Sequence, residues 1–147
     1  SMPVMQMGLP TAPAATRRSK EGGLAWGRTI QLRPPGVEGL IMVSAEKQVG
    51  ARIAVLAGPE QPLPAGLAAY TQFVKVEIES GGVPVELTVH LRPRADSVAP
   101  EGLAALKLYA FDPTTGWTAL PDQERDDAKR DFRGKDSTAR TYALLGP

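Results

Sequence analysis

The stretch 73–92 carries the clearest hydrophobic pattern in the chain. Val74, Val76 and Ile78 alternate with Lys75, Glu77 and Glu79; then come Gly81-Gly82, and Val85, Leu87, Val89 and Leu91 alternate with Glu86, Thr88, His90 and Arg92. Alternation with period two marks strands with one dry and one wet face. The glycine doublet between them predicts a hairpin at the centre of the fold. Burying those aliphatic side chains contributes ~1.5–3 kcal/mol each before conformational entropy is charged. A slip of one residue would turn them all to solvent, so the register is firmly set.

Weaker runs of the same kind flank this segment. Trp26, Ile30 and Leu32 share one parity against Thr29, Gln31 and Arg33, and Pro34-Pro35-Gly36 ends that run. Residues 37–43 and 49–56 read as two further short strands, and 58–66 as a long turn-rich connection. After a loop at 93–102, Leu103-Ala104-Ala105 has room for one helical turn only. Residues 106–111 predict a strand, Asp112 to Gly116 a turn, and 117–120 its returning partner. Residues 122–136 are almost wholly charged around Phe132, and 138–145 form a last strand. Eight or nine strands at spacings of about ten residues, with no helical period, predict an all-β domain: an antiparallel β-sandwich over residues 24–147, with a barrel as its relative. Residues 1–23 are a flexible arm or an edge strand, in which Met5, Met7 and Leu9 alternate with Gln6 and Gly8. As an edge strand they would lie on the domain or on a neighbouring molecule.

Composition narrows the function more than the fold. With 147 residues and 42% hydrophobic side chains, one domain can bury a real core. Seventeen basic against 16 acidic side chains leave a net charge of +1, which argues against nucleic acid as a partner. There is no cysteine, which removes disulfides, thiolate catalysis and cysteine zinc sites together. Asparagine is missing as well, so there is no N-glycosylation sequon. The loss of both residues alongside 14 prolines fits a thermophile, although a GC-rich genome produces the same bias. No apolar run approaches the ~20 residues of a membrane span, so membrane insertion is not expected. Ser1-Met2 has the form of an expression remnant, which leaves a signal peptide open.

Three groups of residues could carry chemistry. Asp122, Glu124 and Asp126 occupy positions 1, 3 and 5 of a calcium loop, but Asp127 stands where glycine is needed and Arg133 where a bidentate glutamate belongs. The alternative to a loose metal site is a charged hairpin tip held by weak exposed ion pairs. Tyr109 and Phe111 point to the face opposite Leu108, and Trp117 returns beside them. These three either cover a second apolar face or form an aromatic platform for sugar rings. The only histidine, His90, alternates outward on a strand and reads as a surface residue rather than a general base. No serine lies in a nucleophile elbow and no glycine-rich phosphate loop precedes a helix. The expectation is therefore a protein that is not an enzyme and needs no cofactor.

From Leu63 onward the order of features resembles a known type of module. Leu63-Pro64-Ala65-Gly66 and 83–89 (Val-Pro-Val-Glu-Leu-Thr-Val) come first. Residues 106–112 (Leu-Lys-Leu-Tyr-Ala-Phe-Asp) follow, then Pro113-Thr114-Thr115-Gly116 and Trp117-Thr118-Ala119-Leu120-Pro121, with Thr141-Tyr142-Ala143-Leu144-Leu145 to close. Residues 55–146 are similar in this order to the β-sandwich shared by ankyrins, netrin receptors and zonula-occludens scaffolds, which also occurs in bacterial secreted and surface proteins. Some relatives cut themselves at a His-Phe-Ser in the closing strand; residues 137–141 here read Ser-Thr-Ala-Arg-Thr, so self-cleavage is not expected. The resemblance implies a non-catalytic structural or protein-interaction module of a larger or exported bacterial protein, secreted or at the cell surface. Its partner would be another protein or a second copy of itself. A carbohydrate-binding module using Tyr109, Phe111 and Trp117 is the alternative. The lack of cysteine suits a surface protein and equally a cytosolic one.

Overall fold

A computed structural model of the chain describes residues 17–18 and 23–147. It is all-β: one sheet of eleven strands, antiparallel except for its first, curled into a half-barrel. The strands are β1 (Arg17–Arg18), β2 (Ala25–Leu32), β3 (Gly39–Leu56), β4 (Ala68–Ala69), β5 (Phe73–Glu79), β6 (Val85–Leu91), β7 (Lys107–Asp112), β8 (Gly116–Ala119), β9 (Glu124–Asp126), β10 (Asp131–Asp136) and β11 (Thr141–Gly146). The expected helical turn is a short 3-10 helix at Pro100–Ala105. Met5, Met7 and Leu9 lie outside the described residues.

The hairpin expected at 73–92 does not form. β5 and β6 are not paired with each other; both lie antiparallel to the 18-residue β3, one after the other. β5 runs along Gly50 to Leu56, and β6 along Gly39 to Ala45. The turn itself is present, closed by Val83 N–H donating to the Ser80 carbonyl at 3.1 Å, with Gly81 and Gly82 at φ +60° and +87°. Such angles suit glycine. Pro84 follows, and having no N–H it cannot extend a ladder back toward β5. The alternation in the sequence identified the dry faces correctly: Val74, Val76, Leu87, Val89 and Leu91 are all buried. It carried no information about which strand lies next door.

The runs 37–43 and 49–56 likewise merge into one strand instead of two. β2 pairs with both halves of β3, but the register shifts between Gly27 and Thr29, so that Arg28 alone opposes the polar bulge Ala45-Glu46-Lys47-Gln48. Bulges bend and twist a strand, and this one separates the part of β3 that meets β6 from the part that meets β5. From there the sheet runs one way through β5, β11, β7 and β8, and the other way through β6, β10 and β9.

The concave side holds the main core, which includes Ile30, Leu32, Ile41, Val43, Leu108, Phe132 and Leu144. Where β10 passes over β7 the space is filled by a glycine. A Cβ on Gly134 would meet Leu120 Cδ1 at 2.9 Å and Leu108 Cδ1 at 3.3 Å. Gly134→Val is therefore expected to overpack this crossing and cost about 1–3 kcal/mol, read as a lower thermal midpoint with unchanged far-ultraviolet dichroism. A midpoint equal to that of the native chain would show that the two leucines repack freely.

Candidate functional site

The β7–β8 hairpin gathers the aromatic residues singled out from the sequence. Its register places Phe111 opposite Trp117 and Tyr109 opposite Ala119, with β11 on the other side of β7 setting Ala143 beside Tyr109. Ala143 is small, and across it Phe73 reaches Trp117, ring centroids 5.8 Å apart and planes tilted by 57°. Phe111 meets the same indole at 5.3 Å and 51°. These are tilted packing contacts of the kind aromatic quadrupoles favour, not a coplanar strip. Phe73, Ala143 and Leu145 are buried beneath, and Leu56, Leu63, Leu67, Ala69, Tyr109 and Trp117 pack around them. The face that alternation left open to water is thus roofed by the connection 57–67, and the indole N–H of Trp117 is enclosed without a hydrogen-bond partner. An open cleft remains where Phe111, Pro113 and Trp117 face Glu60, Gln61, Pro62 and Pro64.

The turn that carries this hairpin is tied by a carboxylate. Asp112 Oδ1 accepts from Thr114 N–H at 2.7 Å and from Thr115 N–H at 3.4 Å, while Oδ2 lies 3.6 Å from Arg140 Nη1. The Thr114 amide above all, with help from the Thr115 amide and the Arg140 charge, holds the Asp112 carboxyl below its ordinary value of 3.8. A carboxylate whose folded pKa is depressed stabilises the fold above its unfolded pKa. That contribution is lost as pH falls through the folded value. Asp112→Asn is therefore expected to make the acid limb of stability shallower below about pH 4, as followed by urea midpoints. An acid limb identical to the native one would assign it to other carboxylates.

The acidic loop is not gathered. Asp122, Glu124 and Asp126 are all exposed, and Glu124 is paired with Arg133. Asp126 Oδ1 accepts from Lys129 N–H at 3.1 Å, closing the β9–β10 turn. Asp122 sits in the turn before β9 at φ +53°. Among the described residues no cluster of three or more carboxylate or imidazole side chains could hold a metal ion. His90 is half-buried rather than free on the surface, its Nδ1 3.1 Å from Asp131 Oδ2 on the adjacent β10.

Three arrangements had no signal in the sequence pattern. Gln123 acts as a short stand-in strand: its amide oxygen accepts from Leu108 N–H, and its amide nitrogen donates to the carbonyls of Leu108 and Leu120. Tyr142 reaches back to Asp136 Oδ2 at 2.8 Å and to the Thr138 carbonyl at 2.9 Å, with Arg140 Nε 3.3 Å from the same carboxylate oxygen. The outer edge of β2 is the third. Among the described residues it carries only the two residues of β1, and Trp26 beside it is the one large hydrophobic side chain left exposed, at 41%. No helix among these residues is long and apolar enough to cross a membrane. No family model, curated protein or solved structure matches the chain.

Proposed function

We propose that this chain is a non-catalytic structural and protein-interaction module of a larger or exported bacterial protein, able to associate with itself. The observation that carries the reading is the edge of β2. An edge strand presents backbone donors and acceptors to any extended segment; among the described residues this edge accepts one two-residue strand in parallel, and on the face of the same strand the half-exposed Trp26 ring lies over Gly50 of β3. The groups with chemical potential are meanwhile committed inside the fold: His90 to Asp131, Tyr142 to Asp136, Gln123 to the backbone of β7. The fold is the two-layer sandwich type shared by ankyrins, netrin receptors and zonula-occludens scaffolds. Passage of Gly134 on β10 over Leu108 on β7, from opposite arms of the curled sheet, supports that type.

The cleft beside Phe111 and Trp117 favours a second reading, carbohydrate binding, in which a sugar would stack against the rim of the aromatic cluster. Hydrogen exchange separates the two. For an interaction module, amides of Ala25–Leu32 exchange more slowly as protein concentration rises, while a panel of oligosaccharides leaves residues 109–117 unchanged. Slowing confined to 109–117 on adding oligosaccharide would transfer the function to the cleft.

A further inference from the structure

We infer that the upward face of Trp26 is the floor of a binding site for an uncharged pyranose sugar. The inference goes beyond both readings above, since it uses neither the backbone edge of β2 nor the cleft at Phe111 and Trp117. It starts from how the indole lies. A Cβ on Gly50 would meet Trp26 Cη2 at 2.9 Å, and Cζ2 and Cζ3 at 3.0 Å each. An edge-on approach would leave the two flanking carbons well beyond the central one. Three nearly equal distances instead put the glycine under the flat face of the six-membered ring. Trp26 and Gly50 are ladder partners, and the missing Cβ is what lets the ring come down flat on the neighbouring strand. With one face on the sheet the other is turned to water, and the residue is 41% exposed.

The groups around the ring follow from the register. Beyond Gly50 the ladder continues to Glu79 of β5, and two residues along, Arg52 faces Glu77. Arg52 Nε donates to Glu77 Oε1 at 2.6 Å, with both side chains about half exposed. Side chains two apart on a strand share a face, so Glu79 stands on this outer face too, at the end of the indole that overlies Gly50. Glu79 is exposed and has no hydrogen bond or ion pair among the described residues. Arg28, at the bulge, is exposed two positions along β2. A flat apolar face rimmed by such groups matches the chemistry of a pyranose. A hexose with equatorial substituents carries axial C–H groups on its ring faces and hydroxyls around its rim. Stacking takes the C–H face and the indole face out of water together, while rim hydroxyls donate to Glu79 and accept from the guanidinium groups. A free carboxylate beside an indole would by itself suit a cation. Here the two arginines and two glutamates cancel, so the patch as a whole favours a ligand without charge.

The test follows the indole N–H signals of the isotope-labelled full chain, which has two tryptophans, as cellotetraose or chitotetraose is added. Trp117→Phe assigns the two signals, and circular dichroism with a urea melt confirms that each variant folds. The Trp26 signal is expected to shift to saturation with a constant of about 1 mM, while the Trp117 signal stays in place. Followed at the amides of Gly50 and Glu79, Trp26→Ala is expected to weaken binding at least about tenfold. Trp26→Phe, which keeps an aromatic face, is expected to retain part of it. The constant is expected to hold between about 50 and 500 mM salt. A shift of Trp117 with Trp26 unmoved overturns this site and upholds the cleft as the place where sugar binds. No movement of either signal at about 10 mM sugar, where such a site is mostly filled, overturns it outright. Binding unchanged in Trp26→Ala overturns it too, and binding that collapses as salt rises overturns the uncharged ligand.

Discussion

Phe132→Ala is expected to cost about 3–5 kcal/mol, the largest loss from any single side chain in the segment 122–136. The ring is 1% exposed within the main core. Its strand pairs with Leu91 of β6 on one side and Arg125 of β9 on the other. Its neighbours in the sequence are mostly charged, and Arg133–Glu124 and Arg125–Asp127 are ion pairs with much of their side chains in water. Exposed pairs of that kind contribute ~0–1 kcal/mol each, so the charges do not hold this hairpin down. One phenylalanine does. Urea denaturation checks this directly. Phe132→Ala should lower the midpoint by roughly 1–3 M for a small domain, whereas Arg133→Ala should move it by a small fraction of that. Equal shifts would mean that the ion pairs matter as much as the core.

Tyr142→Phe is expected to cost about 1.5–3 kcal/mol, the range for a hydrogen bond to a charged group. Tyr142 is fully buried in β11. Its hydroxyl bonds Asp136 and the Thr138 carbonyl, tying the closing strand to the corner that precedes it, as the tyrosine corner does in sandwich domains. Asp136 would keep the amides of Ser137 and Thr138 and the nearby Arg140, which places the loss below that of an orphaned charge. The same residue gives an alkaline signature. Burial first, and the Asp136 charge second, push its phenol far above the ordinary value of 10.0. Below that value both folded and unfolded chains hold the proton, so stability is undiminished. Above it the unfolded chain loses the proton while the folded chain keeps it, and stability falls as pH rises. Tyr142→Phe should be less stable at neutral pH and show a shallower decline above pH 10. A decline as steep as the native one would place the alkaline transition on other groups.

The candidate site was legible in part. Parity alone put Tyr109 and Phe111 on the face away from Leu108, and the turn residues 112–116 brought Trp117 back beside them, as the register shows. Parity could not say that residues 57–67 fold over that face, because Leu63 and Leu67 lie far off in sequence and show no alternation. The acidic residues were visible, but their partners, Arg133 and the Lys129 amide, depend on the β9–β10 turn. His90 looked free because Asp131 reaches it only through the pairing of β6 with β10.

By itself the sequence determined most of the local facts: that the fold is all-β, where most strands break, and which side chains of β5 and β6 are dry, but not that the bulge at Arg28 turns Trp26 outward, away from the buried parity of Ile30 and Leu32. These follow from nearest neighbours, from period-two alternation, from proline's missing N–H and from the left-handed angles that glycine adopts at 81 and 82. Only the tertiary structure decided who pairs with whom. A strand with one dry face satisfies its backbone equally well beside many others, so β5 and β6 read as each other's partners until β3 claimed both. The same holds at the sheet's edge. Nothing in the alternation of 24–33 marks β2 as the strand that, among the described residues, has only the two residues of β1 on its outer side, because that is a property of its neighbours and not of its own residues.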